Sequence, residues 1–267
     1  MRDLPIGVFD SGVGGLTVAR SILNRLPQEQ LLYVGDTAHS PYGPRPLAQV
    51  RRLALDVMDR LVTDGVKMLV IACNSASAVA VPDARERYEV GMGIPVLEVI
   101  RPAARRAVMT SKSGRIGVIG TEATIDSRAY EDALSVTPGV TVTTQACPDF
   151  VPLVEQGITT GPEVQAAALR YLEPVKEQGV DTLVLGCTHY PLLSGVISYV
   201  MGEEVTLVSS ATETANDVYR ALAARDLLRP ATAPNPQHRF LVTGDTGSFQ
   251  ALARRFLGPE VQGVESV

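Results

Sequence analysis

The sequence predicts an α/β fold: two pseudo-symmetric α/β domains with mainly parallel sheets and a shared interdomain cleft. Three observations carry that prediction. Short β-rich apolar runs alternate with loops bearing Gly, Ser, Thr or Asn and with amphipathic helical stretches, the rhythm of a parallel sheet with helical crossovers. Most of the runs are unbroken Val, Ile and Leu rather than alternating, as strands covered on both faces require. Twice such a run ends in a cysteine followed by small polar residues, as LVIACNSASA around Cys73 and LVLGCTHYP around Cys187.

Taken in order, the strands are expected at Ile6 to Phe9, Leu31 to Val34, Met68 to Ala72, Val96 to Val99, Ile116 to Ile119, Val140 to Thr144, Leu183 to Leu185, Val205 to Val208 and Phe240 to Val242. A helix is expected over Leu47 to Thr63, where Leu53, Val57 and Leu61 recur at helical spacing, Pro46 precedes the first turn and Gly65 supplies a stop. A second helix runs over Pro162 to Gln178, with Pro174 marking a kink or an early end. RPATAPNPQ at Arg229 to Gln237 reads as an exposed connector. Two similar halves put the first domain at residues 1–95 plus 209–267, on the Cys73 side, and the second at 96–208, on the Cys187 side. The crossing is placed near Gly93 to Pro95.

Bulk properties narrow the function. With 267 residues, cores can form without covalent staples, and three cysteines over that length read as reduced thiols of a cytoplasmic enzyme. MRDLPIGVFDSG does not look like a leader, and no apolar run approaches the roughly 20 residues that span a bilayer, so no membrane partner is expected. The net charge of -5 is spread over interspersed residues, leaving no basic stripe for nucleic acid. Without Trp, and with few aromatics, there are no base-stacking platforms either.

In open α/β sheets ligands bind beyond the carboxyl ends of the strands, and both cysteines are placed there. Asn74 and Ser75 are suitable cap residues for a helix after Cys73, whose N-terminus can favour a thiolate. A single buried cysteine would read as a small hydrophobe, but two matched contexts point elsewhere. Neither has the C-x-x-C neighbour of a redox pair. Asn74 to Pro82 lacks the arginine of a cysteine phosphatase loop, and acyl transfer would leave one thiol unexplained. Taking a proton from one face of a carbon acid and returning one to the other needs two matched groups, which paired thiols supply. No cofactor is expected: a pyridoxal cofactor needs a Schiff-base lysine, and Lys67, Lys112 and Lys176 are all placed away from strand carboxyl ends. No metal is expected.

GVFDSGVGGLTV at Gly7 to Val18, YVGDTAHSPYG at Tyr33 to Gly43, ACNSA at Ala72 to Ala76 and GCTHYP at Gly186 to Pro191 together resemble glutamate racemases of the bacterial cell-wall pathway. The resemblance extends over nearly the whole chain and implies interconversion of L- and D-glutamate without cofactor, supplying D-glutamate for peptidoglycan. It makes Cys73 and Cys187 the proton-transfer residues, with Asp10 assisting near Cys73, His189 near Cys187, and Glu155 as a further acidic group. Substrate contacts carried over in the same way are Asp10, Ser11, Tyr42, Gly43, Asn74, Ser75, Thr188 and His189, with Thr121 added from the second half. Ser75 stands where the family very often has threonine. The GVGG run lacks the spacing and lysine of a phosphate loop and is expected to give close backbone approach to a small anion. Cys147 is expected to be structural, His39 to shape its loop, and His238 to lie on the surface.

The resemblance also implies a homodimer. DNA gyrase is a partner of some members, and no feature of this sequence decides for or against it. The same fold and thiols would serve a racemase or isomerase acting on aspartate or another acidic compound, and a regulatory protein is the reading from another class. Retention of both cysteines with Asp10 and His189 argues for an active enzyme.

Overall fold

The computed structural model describes residues 1–261 and 263–267. β1 (Ile6–Asp10) leads to α1 (Leu16–Arg25), β2 (Leu31–Gly35) to α2 (Leu47–Thr63), and β3 (Met68–Ile71) to α3 (Asn74–Ala84), which continues as a π-helical stretch over Arg85–Val90. β4 (Val96–Glu98) follows, and α4 (Ile100–Thr110) carries the chain away. The next set is β5 (Arg115–Gly120), α5 (Glu122–Asp126), α6 (Ala129–Ser135), β6 (Thr141–Ala146), α7 (Phe150–Glu155), α8 (Pro162–Glu177), β7 (Thr182–Gly186), α9 (Ser194–Met201) and β8 (Thr206–Ser209). α10 (Ser210–Ala224) returns the chain to β9 (Arg239–Val242), α11 (Thr246–Phe256) and β10 (Glu265–Ser266).

These strands form two sheets, β10-β9-β2-β1-β3-β4 and β6-β5-β7-β8, and every described pairing is parallel. Helical crossovers dictate this, since parallel neighbours cannot be joined by tight hairpins. Without β9 and β10, the two sheets share one internal order: second strand, first, third, fourth. Each therefore has its switch point between its first and third strands, and each cysteine follows a third strand.

Burial follows the unbroken apolar runs. Ile6 and Val8 of β1 join a core that also takes Leu183 and Leu185 of β7, so one continuous cluster spans both sheets. Phe9 points the other way, into a core under α2 and α3. Ile116, Val118 and Val184 face a third cluster with α4 and α6. Each fully buried Val, Leu or Ile contributes roughly 1.5–3 kcal/mol of transfer free energy.

Several expectations are corrected. Val96–Glu98 belongs to the first sheet, with Val96 opposite Leu69, so the crossing comes after β4 rather than at Gly93 to Pro95. There Glu98 accepts the backbone N–H groups of Ile100 (2.6 Å) and Arg101 (3.1 Å), satisfying the start of α4. Pro174 does not end α8; it faces solvent, where the carbonyl it leaves unpaired can meet water. Arg229, at the head of the Pro-rich connector, is buried: its backbone N–H donates to Glu29, which also pairs with buried Lys67 at 2.5 Å. His238 is half-buried, its Nδ1 accepting from Leu31 N at 3.4 Å. No helix among the described residues is long and apolar enough to cross a membrane.

Candidate active site

Both cysteines line one small cavity, together with Ser11, Tyr42, Gly43, Asn74, Ser75, Thr121, Thr188 and His189. At about 20 Å³ it holds roughly one water. A groove of about 300 Å³ adjoins it, sharing Ser40 and Pro41 and adding Glu155 and Asp245. A larger groove of about 670 Å³ lies elsewhere, among α3, α4 and α6, and neither thiol reaches it.

Cys73 is itself the cap of α3. The expectation had Asn74 and Ser75 as cap residues; they occupy the first turn, and the sulfur accepts from Ala76 N at 3.5 Å. Ser11 Oγ lies 3.5 Å from the same sulfur and can accept from the thiol or donate to a thiolate. Burial is the main cause that pushes the Cys73 thiol up to about 12, and the nearby charge of Asp10 adds to it. The Ser11 and Ala76 donors oppose that rise, and the second cysteine's charge reinforces it. Cys73 therefore rests as a neutral thiol.

Asp10 ends β1 beside β3. Its Oδ2 accepts from Gly12 N at 2.9 Å, while Oδ1 is buried without a partner among the described residues. Burial raises its pKa above the usual carboxylate value, against the charge of His189 and the Gly15 and Gly12 N–H groups. It acts on Cys73 through its charge; the hydrogen-bond partners of that sulfur are Ser11 and the backbone N–H of Ala76.

At the end of β7 the surroundings differ. Cys187 Sγ lies 3.8 Å from His189 Nδ1. On the far side of the ring Nε2 is 3.2 Å from Glu155 Oε1 of α7, an ion-pair separation with a bent approach rather than an aligned hydrogen bond. Burial lowers the pKa of His189, but the hydrogen bond to Cys187, the contact with Glu155 and the charges of Cys187 and Asp10 outweigh it and push the ring up to about 10. The ring therefore stands as an imidazolium between the Cys187 sulfur and the Glu155 carboxylate.

Contacts across the cleft close the cavity. Ser75 Oγ is 2.8 Å from Thr121 Oγ1, which caps α5, and Ala123 N donates to Gly43 O at 2.9 Å. Tyr42 is buried and donates to Asp36 Oδ2 at 2.5 Å, so its hydroxyl serves the loop rather than the cavity. His39 Nδ1 and Thr243 Oγ1 meet the same carboxylate, at 2.9 and 2.6 Å. Asp36 was not singled out from the sequence, though it sits inside GDTAHSPYG.

The glycine run also makes room for protein side chains. A Cβ on Gly14 would lie 2.4 Å from Thr188 Oγ1 and 2.5 Å from His189 Nδ1, and one on Gly15 would lie 2.5 Å from Asp10 Cβ. The first loop is thin so that the second half's side chains can approach it. Cys147 is fully buried, its backbone carbonyl accepting from Tyr190 Oη at 3.0 Å, and burial pushes its thiol up. Lys67 lies before β3, at the opposite end of the sheet, and Lys176 Nζ donates to Val200 O.

Comparison with known proteins agrees with this arrangement. Residues 6–218 match the model of the Asp/Glu/Hydantoin racemase family. The glutamate racemase of Beutenbergia cavernae is 65% identical over 99% of this chain and 93% of its own length. The crystal structure of glutamate racemase isoform RacE1 from Bacillus anthracis superposes with a TM-score of 0.92 at 40% identity, covering 100% of this chain and 97% of that one. Glutamate racemase from Francisella tularensis in complex with D-glutamate gives a TM-score of 0.92 at 34% identity, covering 100% and 98%. This chain belongs to the Asp/Glu/Hydantoin racemase family, on its glutamate racemase branch.

Proposed function

We propose that the chain interconverts L- and D-glutamate without a cofactor, using Cys73 and Cys187 as opposed acid/base groups, and that it supplies D-glutamate for peptidoglycan. The observation that carries this reading is the convergence of both thiols on one cavity from equivalent strand ends of two equivalent sheets. The relatives' glutamate activity supports the substrate.

The groups beside each sulfur supply the direction. Cys187, with His189 imidazolium beside it, is the base: its sulfur takes the Cα proton of the enantiomer that presents it. Negative charge then builds beside the substrate carboxylate and must be met by fixed donors such as the hydroxyl of Thr188. Cys73, held as a thiol, returns a proton to the opposite face. The net step moves one proton onto Cys187 and one off Cys73, leaving the mirror state that accepts the other enantiomer. A cavity of about one water does not admit glutamate, so the two halves must part, breaking the Ser75–Thr121 and Gly43–Ala123 contacts. With β4 counted on the first side, those halves act as two domains. A homodimer and a cytoplasmic setting belong to the same reading, supported by the resemblance and the three free cysteines.

Racemisation in heavy water tests the mechanism. Early product should carry deuterium at Cα while remaining substrate carries none. Equal deuterium in recovered substrate would overturn the two-thiol scheme, and turnover of aspartate but not glutamate would overturn the substrate.

A further inference from the structure

Tyr130, on α6, is buried, and among the described residues its hydroxyl has one hydrogen-bond partner: Asn74 Oδ1, at 2.7 Å. Asn74 lines the cavity beside Cys73, and its Nδ2 is buried with no partner among the described residues. These two facts are linked. A buried hydroxyl proton needs an acceptor, and the only acceptor on the amide is its oxygen. If the amide turned over, Tyr130 would lose its acceptor and the amide oxygen would face the cavity, where it would repel an anion. As placed, both N–H groups of the amide are left for whatever enters.

The ring of Tyr130 touches the other strand end. A Cβ on Gly186, the residue before Cys187, would lie 3.1 Å from its Cε2. One side chain therefore rests against the strand that carries Cys187 and sets the amide next to Cys73. The ring contact lies within the second half, whereas the hydrogen bond to Asn74 crosses to the first and exists only while the two halves are together.

We infer that Tyr130 is a positioning residue: it fixes the Asn74 amide with its N–H groups turned into the cavity, as donors to a carboxylate of the bound amino acid. It touches no reacting atom, and its effect is on binding. The inference rests on the glutamate reading.

Tyr130→Phe keeps the ring against Gly186 and removes only the hydroxyl, so the fold and its melting temperature should hold. KM for both glutamate enantiomers should rise about tenfold, with kcat within about threefold, the size of one hydrogen bond lost in binding. Affinity for D-glutamate measured by calorimetry should fall by the same factor. In an Asn74→Ala background the substitution should add nothing, because no amide remains to orient. A Tyr130→Phe variant that binds glutamate like the parent, or whose loss persists undiminished in Asn74→Ala, overturns the inference. A parent that neither binds nor turns over glutamate overturns the functional reading and this one with it.

Discussion

After β3 the sulfur meets a helix N-terminus, a serine hydroxyl and the charge of a buried carboxylate; after β7 the equivalent sulfur meets an imidazole backed by a second carboxylate. Strand order, switch point and cysteine position are the same in both sheets, and Thr121 falls where the register places Ser11 in the first. The fold repeats and the electrostatics do not. Backbone geometry can place two thiols at matching points, but the proton sits according to the charged side chains around each.

The largest effects come from removing each thiol in turn. Cys73→Ala and Cys187→Ala should each cut racemisation by about 10³-fold, within the range for general acid–base groups. Proton exchange should separate them. Cys73→Ala retains the base and should wash the Cα proton of one enantiomer into heavy water without inverting it. Cys187→Ala retains only a neutral thiol and should exchange neither. Equal exchange by both, followed by loss of the Cα proton resonance, would show that the resting protonation is shared. Next in size is Gly14→Ala, whose Cβ would displace Thr188 and His189 and should cost about 10²-fold in kcat. Gly12→Ala meets Ser40 Oγ at 3.2 Å and should cost much less. Similar losses would mean that the glycine loop serves general stability instead of the approach of the second half.

A smaller effect sharpens the asymmetry between the activating groups. The enantiomers have equal free energy, so kcat/KM in the two directions must stay equal in any variant. Asp10→Asn and His189→Asn can therefore differ only in how kcat and KM divide. We expect His189→Asn to lower kcat about tenfold more in the direction that begins with Cys187 as base. Asp10→Asn should be more even, since Asp10's charge reaches both Cys73 and His189. Progress curves from each pure enantiomer measure this, and a symmetric His189→Asn would unseat that residue as the partner of one thiol.

How much of this was legible depends on where the signal lies. Strands covered on both faces must be built from continuous β-branched runs, so nine of them could be read directly; β10 is two polar residues at an edge and has no such signature. The Cys73 and Cys187 contexts were legible because they occur twice. Val96–Glu98 was assigned to the wrong half because Gly93 and Pro95 look like a boundary, whereas the pairing with β3 is a tertiary fact. Tyr130 carries no local mark, reading as one more buried position on a helix, and its role exists only where two sheets meet. Gly14 was visible as a glycine, but the side chains it makes room for are about 170 residues away along the chain.

The last comparison needs no catalysis. His189 has its pKa raised by the fold from 6.5 to about 10, and Cys73 from 9.0 to about 12. In both cases the native state holds a proton that the unfolded chain has released, so stability falls as pH rises. The His189 contribution is complete below about pH 6.5 and fades up to about 10; the Cys73 contribution begins to fade only above about 9. Each slope is limited to one proton, about 1.4 kcal/mol per pH unit. Denaturant midpoints measured from pH 6 to 11 should therefore decline in two overlapping stages. His189→Asn should flatten the first stage and leave the second, while Cys73→Ala should do the reverse. If both substitutions flattened the same stage, the two sulfurs and the imidazole would titrate as one network, and the division of labour between the strand ends would be lost.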